Sequence, residues 1–304
     1  MSPMRAAIDL GTNSLRAIIV KDLTEPLQIV YEKGFIVRIG EGINAHSPLN
    51  VQAKQRTLTA LLEIKQAFDH WGIGPDDYRF VATSALRDAQ DGADFIAAVK
   101  EIDLNMTIIS GVDEALIIAK AVNAFVPDRN DHALFVDQGG GSVEFIHHQN
   151  GVETVKSLDI GIVRLTERFF SNLPPSMNAT IAFQDFMTKT FHDELRSHID
   201  AGPDQLIIIG GTGATLVKLY LKLDVFDSLK VHGQVIPASF IIETLNQLLL
   251  LSATEIATRF QLDPRRADVV TAGVLEIACL LNTFRFQQVL ISDRGLRYGL
   301  LLPE

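Results

Sequence analysis

The stretch 6–20, "AAIDLGTNSLRAIIV", and the stretch 133–147, "ALFVDQGGGSVEFIH", follow one pattern: an apolar run ending in Asp, one residue, Gly, two residues, Ser, and a second apolar run. Each copy reads as a β-hairpin with a carboxylate at its mouth. Gly11, Gly139, Gly140 and Gly141 lack a Cβ, so consecutive backbone N–H groups can turn inward around an anion. Ser14 and Ser142 add a hydroxyl donor at matching positions, and Asp9 and Asp137 are hard oxygen ligands suited to Mg²⁺ on phosphate oxygens. One such hairpin alone is an ordinary turn. Two at matched spacing predict two similar domains, whose turns face one another across a phosphate-binding cleft.

Around the hairpins, β-branched apolar runs alternate with longer helical patterns, which makes the class α/β. Strands are expected near residues 5–10, 15–21, 27–37, 78–83, 106–109, 133–137, 143–148, 152–158, 205–209 and 287–291. Helices are expected over 50–70, 91–100, 112–125, 162–171, 178–199, 213–222, 238–250, 252–259 and 264–283. The segment "FVPDRNDH", 125–132, gathers Pro, Asp and Asn just before the second hairpin and reads as a hinge. Domains of 1–125 and 126–304 follow.

Three further stretches carry chemistry. A third glycine turn, "LIIIGGTGATLVKL" at 206–219, leaves a strand and opens a helix, so Gly211, Thr212 and Gly213 can offer amides to a phosphate or nucleotide. In "FVATSALRDA", 80–89, Thr83, Ser84 and Arg87 stand after a strand; they grip a phosphate or simply form a helix cap with a surface arginine. In "IISGVDEALIIAKAVNAF", 108–125, Ser110 and Asp113 have capping-box spacing, which leaves Glu114 free. Glu114 heads the helical stripe of Ile117, Ile118, Ala121 and Phe125, where desolvation favours a general base; an acid complementing the helix dipole is the plainer reading.

Composition narrows the options. A net charge of −10 opposes sequence-independent binding to nucleic acid or an anionic membrane. Cys279, the single cysteine, lies in an apolar helical pattern and reads as a buried, inert thiol, which excludes disulfides. No stretch approaches the roughly 18 uncharged apolar residues of a membrane span, and "MSPMRAAIDLG" has no secretory core, so a cytoplasmic location is expected. His147 and His148, adjacent on a strand, face opposite sides, one expected toward solvent and one toward the core, and cannot easily share one metal. The apolar "LNQLLLLSA", 245–253, covers either a core or a homodimer surface.

With these residues in view, the chain resembles the exopolyphosphatase/guanosine pentaphosphate phosphohydrolase family, within the wider actin, Hsp70 and sugar-kinase fold. "AIDLGTNSLR", "RFVATSALRDA", "ISGVDEA", "FVDQGGGSVE", "IIIGGTGAT", "RRADVVTAGVLEI" and "ISDRGLRYGLL" occur in the family's order and spacing. The resemblance implies two similar actin-like (ribonuclease H-like) domains with mixed sheets flanked by helices and an active site in the interdomain cleft. It implies Glu114 as the base that activates water, and Asp137, Gly139 and Glu144 as holders of a divalent metal, Mg²⁺ or another such as Mn²⁺. Thr12, Asn13, Ser14 and Arg16, with Ser84, Arg87 and Ser142, would hold phosphates, and Arg266 of "RRAD" would contact a nucleotide or polyphosphate, although adjacent Arg265 leaves the register open. Thr271 stands where the family commonly has Pro. The chain ends near the close of the two-domain core, without the C-terminal helical domains of longer relatives, so no preference for long polymers is implied. Inorganic polyphosphate, or guanosine pentaphosphate trimmed to the tetraphosphate, is the expected substrate. The alternatives are a non-catalytic sensor of guanosine tetra- or pentaphosphate and a sugar-kinase-like phosphotransferase.

Overall fold

The computed structural model describes residues 4–24, 27–43, 47–126, 130–196, 199, 202–225 and 227–303. Two compact units emerge: Met1–Ala124 together with Leu296–Glu304, and Phe125–Gly295.

The first unit holds a five-stranded sheet of order β3-β2-β1-β4-β5. Its strands are β1 (Arg5–Leu10), β2 (Ser14–Val20), β3 (Ile29–Ile36), β4 (Tyr78–Ala82) and β5 (Thr107–Ile108). β1, β2 and β3 run as an antiparallel meander, and β4 and β5 join β1 in parallel. The second unit repeats this plan with β6 (His132–Gln138), β7 (Val143–Gln149), β8 (Val152–Leu158), β9 (Gln205–Gly210), β10 (Gln234–Pro237) and β11 (Gln288–Ser292), in the order β10-β11-β9-β6-β7-β8. β6, β7 and β8 form the meander, β9 and β11 continue in parallel, and β10 adds an antiparallel edge. Both units are α/β with mixed sheets flanked by helices, the actin-like plan. The edge strand β10 was not anticipated: four residues ending in Pro carry too little alternation to read as a strand.

Helices cover the sheets for legible reasons. Val51–Trp71 starts where Asn50 Oδ1 accepts the Ala53 N–H at 3.1 Å and ends at Gly72, whose φ of 67° only glycine adopts without strain. Its buried residues Ala53, Thr57, Ala60, Leu61, Ile64 and Phe68 recur at helical spacing, and the apolar ones pack in one core with Ile8, Leu10 and Leu15. In the second unit, Leu134, Val136, Leu206 and Ile208 pack with Val274, Leu275 and Ile277 of the helix Val270–Phe284.

Several expectations change. The helix expected over 264–283 is two, Pro264–Ala267 and Val270–Phe284, broken at Asp268 and Val269. By length and composition Pro264–Phe284 could cross a membrane, but 72% of its most apolar window is buried, and its apolar residues belong to the core of the second unit. His147 and His148 are both buried, one ring against His132 and the other 3.7 Å from Glu153. Residues 127–129 of the expected hinge and residues 197–198 of an expected helix lie outside the described residues. The closing segment, expected with the second domain, packs with the first unit: Arg5 Nη1 donates to Leu301 O at 3.0 Å, and Arg297 pairs with Glu32 at 2.7 Å.

Candidate active site

In each unit the candidate residues gather at the carboxyl ends of the parallel strands, where α/β sheets present their ligand sites.

In the first unit, Asp9 and Arg16 are direct cross-strand partners on the first hairpin. Thr12, Asn13 and Ser14 form its turn, which is fixed from behind: Arg38 N–H donates to Asn13 O at 2.9 Å and Gly40 N–H to Thr12 O at 3.0 Å. A Cβ on Gly40 would overlap the Thr12 side chain. Holding the Thr12 and Asn13 carbonyls from behind orients the turn so that its amides can face an anion. Burial raises the proton affinity of Asp9 above the usual carboxylate range, against the opposing charges of Arg16 and Arg297.

The next strand end carries Thr83, Ser84 and Arg87. Thr83 makes no side-chain cap bond to the short helix Ser84–Asp88, so the plain cap reading fails there. Arg87 Nη1 donates to Ile109 O at 2.8 Å and to Glu114 Oε2 at 3.3 Å. Glu114, 8% exposed, is therefore not free, as its spacing had implied. It does head the buried stripe of its helix, while Ser110 Oγ bonds the Asp113 carboxylate at 2.6 Å and accepts the Asp113 N–H at 3.1 Å. Phosphate-binding and base candidates are thus in contact.

In the second unit the hairpin repeats in register, with Asp137 opposite Glu144. Glu144 occupies the place of Arg16, so the second hairpin sets a carboxylate opposite Asp137 where the first sets a guanidinium opposite Asp9. Directly opposed like charges repel, and a hard cation resolves the repulsion. Glu144 is buried and accepts the Ser157 hydroxyl at 2.8 Å. Gly210 and Gly295 pack closely beside Asp137: a Cβ on either would lie 3.4 Å and 3.2 Å from its carboxylate oxygens. These residues fit a divalent metal. Among the described residues no three His, Cys, Asp or Glu side chains form a ready ligand cluster, so phosphate oxygens of a substrate would complete the shell around two carboxylates.

The turn Gly139–Gly140–Gly141–Ser142 has its own backstop, which the sequence did not reveal. The N–H groups of Ile162, Val163 and Gly161 take the carbonyls of Gly139, Gly140 and Gly141 at 3.0, 2.9 and 3.1 Å, and Arg164 Nε adds a bond to Gly141 O at 2.8 Å. A Cβ on Gly161 would overlap the Gly140–Gly141 peptide. The only available signal was the glycine of "DIGIVR", 159–164, at a helix start. The Gly139 carbonyl thus already has a partner, and the carboxylates are the stronger cation donors.

The third turn adjoins the second, because Gln138 pairs with Gly210 in the parallel ladder. Gly210 takes φ 108°, Gly211, Thr212 and Gly213 open the following helix, and Arg266 Nη1 donates to Gly211 O at 2.9 Å. The Arg265 guanidinium instead makes two bonds to Asp263, at 3.1 and 2.9 Å, beside its backbone N–H bond of 2.8 Å. Of the two arginines, Arg266 is the one at the glycine turn.

The family model described as the Ppx/GppA phosphatase family matches residues 18–304. A bifunctional 3-dehydroquinate synthase/phosphatase of Fusobacterium nucleatum is 31% identical over 98% of the chain, which spans 46% of that relative's length. Exopolyphosphatase 2 of Mycobacterium tuberculosis is 27% identical over 98% of the chain and 97% of its own. The crystal structure of the Aquifex aeolicus Ppx/GppA family member superposes with a TM-score of 0.81 at 30% identity, covering 98% of this chain and 97% of that one. An exopolyphosphatase structure from Cytophaga hutchinsonii shares the fold with a TM-score of 0.90 at 23% identity, over 98% and 96% of the two chains. The chain belongs to the Ppx/GppA phosphatase family.

Proposed function

We propose that the protein hydrolyses the terminal phosphoanhydride bond of inorganic polyphosphate or of guanosine pentaphosphate. The observation that carries this reading is the Arg87–Glu114 contact of 3.3 Å, which couples a buried carboxylate to a phosphate-seeking guanidinium at a strand end. Hydrolysis needs that adjacency: one group to hold the phosphoryl oxygens and one to take the proton of water.

Each residue then has a role. The amides of the turns at Thr12–Ser14 and Gly140–Ser142, the third turn at Gly211–Gly213, and the side chains of Arg16, Ser84 and Arg87 bind phosphate oxygens; Arg266 contacts the chain or nucleotide beyond the reacting group. Glu114 orients and deprotonates the attacking water. Asp137 and Glu144 would hold Mg²⁺ or Mn²⁺. A bound divalent cation supplies charge neutralisation at the phosphoryl group.

The test is phosphate release from long polyphosphate, short polyphosphate and guanosine pentaphosphate, each with and without Mg²⁺. Glu114→Gln is expected to keep the parent circular dichroism and melting curve and to lose about 10²–10⁴ in turnover. Turnover equal to the parent's would remove Glu114 as the base. Tight binding of guanosine tetraphosphate with no hydrolysis of any substrate would replace the hydrolase by a sensor, and sugar-dependent ATP consumption would replace it by a kinase.

A further inference from the structure

Gln138 closes β6 on the face that sends Leu134 and Val136 into the core of the second unit. In the first hairpin the same place holds Leu10, 1% exposed, so the hairpin forms without a polar residue there. Gln138 is buried nonetheless and has acquired partners: its Nε2 donates to Gly273 O at 2.9 Å and to Glu276 Oε2 at 2.8 Å. Gly273 and Glu276 stand one turn apart on the helix Val270–Phe284, and Glu276 has no solvent exposure. A Cβ on Gly273 would come within 2.5 Å of Thr212 Oγ1 and 3.3 Å of Gln138 Oε1, so the glycine admits both side chains to one spot. Thr212 belongs to the third glycine turn, and Gln138 is the residue after Asp137. The cluster ties the core helix to both turns.

A buried amide–acid pair is costly compared with two packed apolar side chains. Burial pushes Glu276 up to about 8, so at neutral pH it meets the Gln138 amide as an uncharged acid. What the pair provides is direction: a bond from a rigid helix to the last residue of β6, one residue from the carboxylate pair.

We propose that Glu276 is a positioning residue which, through Gln138, holds the end of β6 so that Asp137 and Glu144 present their oxygens to a divalent cation. This rests on the metal assignment above. Outer partners that orient ligands typically change metal affinity by about 10–100-fold when removed.

Calorimetric titration of the intact chain with Mn²⁺, without substrate, tests it alongside thermal melting. Glu276→Gln keeps a carbonyl oxygen facing Gln138 and is expected to bind Mn²⁺ within about twofold of the parent. The double variant Gln138→Leu/Glu276→Met makes the site apolar, as in the first hairpin; it is expected to melt no lower than the parent yet bind Mn²⁺ about tenfold or more weakly. Parent-like affinity in the double variant, or tenfold weakening in Glu276→Gln, overturns the positioning role and leaves the proposed function standing. A parent chain that binds no Mn²⁺, or an Asp137→Asn variant that binds as well as the parent, overturns the metal assignment and this proposal with it.

Discussion

Glu276 keeps its proton to about pH 8, whereas an unfolded glutamate releases it near 4.5. Between those values the unfolded chain binds fewer protons than the folded one, so stability falls as pH rises through the window and levels off above it. Glu276→Gln has no proton to lose. Its stability relative to the parent is expected to rise by about 1–4 kcal/mol from pH 5 to pH 8, at 1.36 kcal/mol per pH unit as the upper slope, read from urea denaturation at both values. A flat difference would mean that Glu276 titrates normally. The same burial, with Glu276 nearby, pushes the Cys279 thiol up to about 12, in keeping with its reading as an inert thiol. At this scale the candidate positions were legible because Asp, Gly and Ser recur at fixed spacing. Their partners were not. Neither the Arg87–Glu114 contact nor the Gln138–Glu276 bond follows from local spacing, since 27 and 138 residues separate the pairs.

Among the elements, the glycine turns owe their shape to what lies behind them. Amides can point toward an anion only when the carbonyls on the other side of the same peptides are satisfied, and 161–163 and 38–40 do that for the two hairpins. Gly161→Ala forces its Cβ into the Gly140–Gly141 peptide. The variant is expected to lower the melting temperature and to raise the KM for phosphate substrates about tenfold or more, whereas Gly151→Ala, in open space at φ 81°, lowers stability without changing KM. An unchanged KM in Gly161→Ala would show that the turn does not meet substrate. The strands were legible from β-branched runs bounded by glycine and polar residues. The break at Asp268–Val269 was not, because neither Gly nor Pro marks it and the apolar period continues across it.

Over the whole molecule, the first unit is built from both ends of the chain and the second from the stretch between. Arg297 is the clearest tie: its guanidinium bonds Glu32 and lies 4.8 Å from the Tyr298 ring. Arg297→Met leaves the partly exposed Glu32 with the longer Tyr298 hydroxyl bond of 3.3 Å, and is expected to cost about 1–3 kcal/mol of stability, checked by denaturation of the full chain. Residues 125–295 alone are expected to unfold cooperatively in urea. Residues 1–124 alone lack that tie and are expected to show no sharp transition until residues 296–304 are supplied. A cooperative 1–124 fragment would mean the closing segment is dispensable. The two-domain plan was legible from the repeated hairpin, but the return of the chain was not, because "GLRYGLL" carries no mark of which sheet it will join.

That return sets an order on biosynthesis. A ribosome delivers Leu296–Glu304 only after Phe125–Gly295, so the unit begun first receives its closing helix after the whole of the second unit has been made.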